Sequence, residues 1–342
     1  SDIEGARRNL ERSTAWFYHL AEGVDAESRA HFKTLKDNNL LGKALVGIHS
    51  LGLHRDDLDA VQAAGGKVIW SPLSNLLLYG KTLKLADLID SGVLFSLGCD
   101  WSPSGSKNPL LELKVARWVA NKQNVPITSR QLVGLLTDRA AQVVGWHQHL
   151  GSLQPGMLAD IIAVRGTTGD PYDHLINARE RDISLVIIHG MPRVGDEALL
   201  KKALPTTAVL ETLTIDNVPK SFFWQHPLST LNDLSLATTK QRLTDAMNDL
   251  KGFIRNGQAD GGLLDFGMSG DPFGLVLDME SDETDDLSGL LNAALLDVSE
   301  DQVRDSVPLD TLEVADPAFW ATMLAEQNLP AGLAADLQVF YT

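Results

Sequence analysis

Two imidazoles and two carboxylates stand at the ends of short apolar runs. His19 and Glu22 follow Ala15-Trp-Phe-Tyr, His49 follows Ala44-Leu-Val-Gly-Ile, and Asp100 follows Val93-Leu-Phe-Ser-Leu-Gly-Cys. Hydrolysis of an amide, amidine or aminopyrimidine at neutral pH needs an activated water, and a divalent cation supplies one by lowering the water's pKa to about 7. Imidazole and carboxylate ligands suit zinc or iron, and a separate carboxylic acid must carry the proton to the leaving nitrogen. His19-Leu-Ala-Glu22 fits that division of labour. His49 is placed to orient or polarise the water, and Asp100 to ligate the cation and take a proton. Asn75 is a substrate-binding candidate, though with Ser74 it reads more readily as shaping the strand-to-helix turn, and Trp101, Lys107 and Asn108 read equally as pocket lining or as a structural loop. Taken alone, His19 or His49 reads as a hydrogen-bonded core histidine, Glu22 as a first-turn helix charge and Asp100 as a helix cap.

The elements that must position these residues alternate. Strands are expected at 15–20, 44–49, 67–71 and 93–98, and helices at 26–38, 55–64, 83–90, 110–121 and 129–144. Strands that alternate with helices pair in parallel through right-handed crossovers. The residues with chemistry all fall at or just past the carboxyl ends of the strands, the edge where barrels and open parallel sheets keep their sites. From 146 to 205 the pattern turns to β, with strands at 161–164 and 183–189 and a turn at Gly190-Met-Pro-Arg193. Beyond Ala203-Leu-Pro-Thr-Thr207 come a helix over 238–255, Gly- and Asp-rich turns at 256–272, the acidic run 280–286, and helices near 287–305 and 316–328.

Charge divides the chain. Residues 206–342 carry 6 Lys+Arg against 23 Asp+Glu, whereas 1–205 carry 23 against 22. This balance argues against nucleic-acid backbone binding, which needs a basic footprint. No apolar run approaches the roughly 20 residues that span a bilayer. A single cysteine, Cys99, forms no internal disulfide, which suits a reducing cytoplasm. Gly80-Lys-Thr82 imitates the end of a phosphate-binding loop, but Asn75 stands where the first Gly is needed and Leu76-Leu-Leu-Tyr79 cannot form the cradle. His31, His54, His147 and His149 read as surface residues.

His19-x-x-Glu22, His49, Ser71-Pro-Leu-Ser-Asn75 and Leu97-Gly-Cys-Asp100, in that order, resemble strands five to eight of a barrel in the amidohydrolase superfamily. The similar branch contains cytosine, guanine and triazine deaminases. Gly145 to Asp160 with Ile161-Ile-Ala-Val164 resembles the return into that family's β-sandwich, and Leu185 to Gly195 its closing strand, so the likeness covers roughly 15–200. The resemblance implies an α/β fold: a partial (β/α)8 barrel over 1–145, a small β-sandwich portion over 146–205 and an acidic accessory region over 206–342. It implies a metal-dependent hydrolase of non-peptide carbon–nitrogen bonds, such as a heterocycle deaminase, with a small-molecule substrate and zinc (or iron) as cofactor. His19 and Asp100 would be metal ligands, Glu22 the proton shuttle and His49 an aid to the water or substrate.

Two departures stand beside the resemblance. The family's first strand carries a His-x-His pair with no counterpart before His19, and His147-Gln-His149 is poorly placed to replace it. The expectation is a chain lacking the first half of the barrel, with either a homo-oligomer or a separate chain that supplies the missing strands as partner. A degenerate, inactive relative and an interaction module built on the acidic region are the rival readings. The second departure is Asp100-Trp-Ser-Pro103, which replaces the deaminases' small-residue loop.

Overall fold

A computed structural model describes residues 3–102, 104–225, 235–252, 306–311 and 313–342. After helix α1 (Ile3–Arg12), four strands, β1 (Trp16–Leu20), β2 (Leu45–His49), β3 (Lys67–Trp70) and β4 (Leu94–Leu97), form one sheet in sequence order. Every neighbouring pair is parallel. Helices α2 (Ala26–Asp37), α3 (Arg55–Ala63), α4 (Pro72–Tyr79) and α5 (Leu85–Ser91) make the crossovers, and α6 (Pro109–Lys122), α7 (Ser129–Gly134) and α8 (Asp138–Val143) follow. The fold is mixed α/β, as expected.

Local chemistry sets these boundaries. The Asp25 side chain accepts from Ser28 N at the start of α2, and Asn108 accepts from Leu110 N and Leu111 N ahead of Pro109 in α6. Pro72 opens α4, and Gly80 closes it in the left-handed region at φ 66°. Pro is pre-organised for the first helical position, and Gly pays least for a left-handed cap. The helix expected over 129–144 is two helices: the chain breaks at Leu135, whose carbonyl accepts from Leu97 N of edge strand β4 at 3.0 Å. Leu20, Leu45, Leu58, Trp70, Leu73 and Leu111 are fully buried between the sheet and its helices.

A second, antiparallel sheet has the order β5-β6-β7-β9-β8. It comprises β5 (Ile161–Val164), β6 (Ile183–Ile188), β7 (Met191–Gly195), β8 (Glu211–Ile215) and β9 (Val218–Phe222), with helices α9 (Pro171–Asn177) and α10 (Glu197–Ala203) between them. The stretch read as a turn at 190–193 is mostly strand, because His189 (φ 50°) and Gly190 (φ 75°) complete the reversal in two residues. Asp216 and Asn217, at φ 47° and 60°, make a similar two-residue hairpin turn. The sheet therefore runs past the boundary expected near 205.

The described residues among 225–311 form a separate unit, in which α11 (Leu236–Asn248) begins at Ser235, whose side chain accepts from Thr238 N. The helix expected to 255 ends at Asn248 with Asp249 as its cap, and the turns at 256–272, the acidic run 280–286 and the helix near 287–305 fall on residues outside those described. Helices α12 (Pro317–Ala325) and α13 (Leu333–Gln338) belong with the first unit. Trp320, Leu333, Leu337 and Tyr341 join its core, and Trp118 Nε1 of α6 donates to Asp336 at 2.8 Å. Among the described residues no helix is long and apolar enough to cross a membrane.

Leu45 is fully buried in β2, so Leu45→Ala should cost about 2–5 kcal/mol of unfolding free energy in a urea titration. An unchanged midpoint would contradict its place in the core.

Candidate active site

The carboxyl edge of the parallel sheet gathers side chains from successive strands. His19 lies on β1 and His49 ends β2, with Leu20 and His49 paired in register. Their rings stand 5.5 Å apart, centroid to centroid. Glu22 lies two residues beyond β1, and one ligand-type atom from each of His19, Glu22 and His49 falls within 4.8 Å of the others. His49 Nε2 is 3.6 Å from Glu22 Oε1 and 3.8 Å from Asp100 Oδ2.

These gaps are too long for a proton bridge. Atoms bound at about 2.1 Å around a tetrahedral cation stand about 3.4 Å apart, close to the observed spacing. Asn75 Oδ1 stands 3.0 Å from His49 Nδ1, which fixes the ring with Nε2 turned toward the two carboxylates. Two imidazoles and a carboxylate with ligand atoms this close are the donor chemistry of a divalent cation site. The residues present fit such an ion.

The backbone is strained where these side chains leave the sheet. Ala21, His49, Ser50 and Asp100 adopt φ of 48°, 62°, 53° and 58°. Such conformations cost non-glycine residues of order 1–2 kcal/mol each and persist where the surroundings over-determine them. At β2 the Ser50 hydroxyl returns to Gly47 O at 3.3 Å. In the loop after β4, a Cβ on Gly105 would lie 2.2 Å from Cys99 O, so only glycine permits that approach.

One helix touches the cluster three times. From α4, Ser74 Oγ donates to Asp100 Oδ2 at 2.6 Å, Asn75 holds His49, and Tyr79 OH donates to Glu22 Oε1 at 3.2 Å. Burial and the Glu22 charge push the Tyr79 phenol up to about 12, so it remains a donor. Asn75 Nδ2 donates in turn to Thr82 Oγ1, which also accepts from the buried Trp70 Nε1. Behind the cluster lies Glu112 of α6, fully buried. It accepts from Leu73 N at 3.2 Å and from Ser106 Oγ, tying the start of α4 to the loop after Asp100. Burial pushes its carboxyl up to about 8.

The structure corrects part of the expected substrate set. Asn75 is fully buried, with both ends of its amide engaged inside the protein, so it orients His49 and offers no surface to a substrate. Lys107 Nζ donates to Glu313 O at 3.3 Å and lies over the Phe319 ring. Asn108 caps α6 and donates to Glu180. Both therefore serve tertiary contacts, whereas Trp101, beside Asp100, is 66% exposed. His31, His54, His147 and His149 are exposed. Tyr79, Thr82 and Glu112 escaped the sequence reading. The four-residue step from Asn75 to Tyr79, which puts both on one helix face, was the available signal.

The sequence profile of the Amidohydrolase family matches residues 11–192. The 5'-deoxyadenosine deaminase of Methanobrevibacter smithii is 25% identical over 149 residues, covering 42% of this chain and 34% of that protein. A 5-methylthioadenosine/S-adenosylhomocysteine deaminase of Syntrophobacter fumaroxidans is 28% identical over 177 residues, covering 48% and 40%. The matches thus span less than half the length of these relatives. An adenosine deaminase from Xanthomonas campestris, solved with bound zinc, superposes with a TM-score of 0.52 at 21% identity over 59% of this chain and 53% of that one, a likeness of fold.

Glu112 gives this region a pH signature. The stability it contributes is fully present below the ordinary glutamate value of 4.5 and is lost as pH rises toward about 8. Urea titrations between those limits should show Glu112→Gln flattening the decline of the parent chain; identical slopes would contradict a buried, titrating carboxyl.

Proposed function

This chain belongs to the amidohydrolase family, and from that premise we propose that it carries the catalytic edge of a metal-dependent deaminase acting on a small nitrogen heterocycle. The single observation that carries this reading is the meeting of His49 Nε2 with Glu22 Oε1 and Asp100 Oδ2 beside His19. The deaminase names of the relatives support an adenosine-like substrate. The parallel order of β1 to β4 supports reading them as strands five to eight of a (β/α)8 barrel, with the second sheet as the β-sandwich portion.

The family resemblance would make His19 and Asp100 ligands of the cation, zinc by preference for this donor set; the geometry supports a position shared by His19, Glu22 and His49, with Asp100 3.8 Å from His49 Nε2. Once bound, the cation supplies an acidified water for attack on the ring carbon bearing the amino group. Glu22 accepts a proton from that water and delivers it to the departing nitrogen, so that a carbon–oxygen bond replaces the carbon–nitrogen bond and ammonia leaves. His49, fixed through Nδ1 by Asn75, keeps Nε2 aimed at the reacting centre. Asp100 keeps its orientation through Ser74. Trp101, exposed next to Asp100, offers a face on which a planar ring can stack.

Ammonia release from 5'-deoxyadenosine by the purified chain, with elemental analysis alongside, tests the proposal. Glu22→Gln should lower kcat by roughly 10²- to 10⁴-fold with cation content unchanged. Absence of cation, or turnover indifferent to Glu22→Gln, would refute it.

A further inference from the structure

Glu22 ends in a carboxylate that is 24% exposed and sits on a turn, beyond the rigid part of β1. A proton carrier so placed must be oriented, because only a carboxylate held in one rotamer presents the same oxygen to water and leaving group. Among the described residues, the hydrogen-bond donor found on Glu22 is the Tyr79 phenol, 3.2 Å from Oε1. That same Oε1 is the oxygen that faces His49 Nε2 at 3.6 Å.

Tyr79 itself is well fixed. It is the last residue of α4, and Asn328 Nδ2 donates to the carbonyls of Leu77 and Leu78 at 2.9 and 3.1 Å. These belong to the last turn of α4, whose carbonyls otherwise lack helical partners. A Cβ on the following Gly80 would lie 3.0 Å from Asn328 O, so the segment packs tightly against the helix end. The other end of α4 is held by Glu112 through Leu73 N.

We propose that Tyr79 is the positioning residue of the proton carrier: its hydroxyl donates to Oε1 of Glu22 and so holds the carboxylate in the rotamer that faces His49. This rests on the reading of Glu22 as that carrier. The phenol touches neither cation nor substrate in this role, and it gains and loses no proton. Its contribution is one hydrogen bond to a charged group, delivered from the helix that also orients His49 and Asp100.

Two measurements test it on the purified chain. Tyr79→Phe keeps the ring and removes the hydroxyl. It should lower kcat for 5'-deoxyadenosine by roughly 10- to 100-fold, with KM, melting temperature and zinc content near those of the parent. Independently of turnover, the chain labelled with 3-fluorotyrosine should give four fluorine resonances, one per tyrosine. These are assigned by replacing Tyr18, Tyr172 and Tyr341 with Phe in turn. Glu22→Leu should move the Tyr79 resonance and leave the other three in place. A Tyr79 resonance blind to Glu22→Leu overturns the contact. A kcat unchanged in Tyr79→Phe, while Glu22→Gln abolishes turnover, overturns the positioning role alone. Turnover unaffected by Glu22→Gln removes the underlying reading and this proposal with it.

Discussion

Convergence of two carboxylates on one imidazole is the constraint around which this site is arranged. Glu22 Oε1 and Asp100 Oδ2 lie 3.6 and 3.8 Å from His49 Nε2, partly shielded from water. Without positive charge among them such groups separate, since nearby like charges disfavour each other and burial weakens screening. The fold resists separation in two ways: strand ends strained into left-handed conformations aim the side chains inward, and a helix grips them from the flank.

That helix, α4, links local sequence to site geometry. Pro72 and Gly80 fix its limits, and eight residues suffice to place Ser74, Asn75 and Tyr79 against Asp100, His49 and Glu22. Its two ends are held by elements distant in sequence, Glu112 on α6 and Asn328 in the C-terminal segment. Glu112 also bonds Ser106, so one buried carboxyl joins the loop carrying Asp100 to the helix that orients it. A fully buried carboxyl pushed up to about 8 is a costly tie, which the rest of the core must offset.

The sheet was largely legible in the sequence, because its strands read as short apolar runs bounded by helix caps. Strand-end placement points to one edge, where the fold sets His19, Glu22 and His49 together and Asp100 beside His49. α4 is hard to read from sequence because Leu76-Leu-Leu-Tyr79 presents apolar residues on every side, the 43% exposed Leu78 included, and so shows no helical period. Without α4 in view, the contacts of Asn75 with His49 and of Tyr79 with Glu22 have no local signature. The partners of Lys107 and Asn108, namely Glu313, Phe319 and Glu180, lie far along the chain, where no local pattern reveals them. The hairpin at Asp216-Asn217 has a local signal, since Thr212-Leu-Thr-Ile215 alternates polar with apolar residues ahead of it.

Crystals of the chain grown with zinc, with an anomalous difference map collected at the zinc edge, address the convergence most directly. The account predicts a single strong peak at the carboxyl edge of β1 to β4, about 2.0–2.2 Å from His19 and Asp100 ligand atoms. A map with no peak there, or with zinc held only by the exposed His147 and His149, would contradict it.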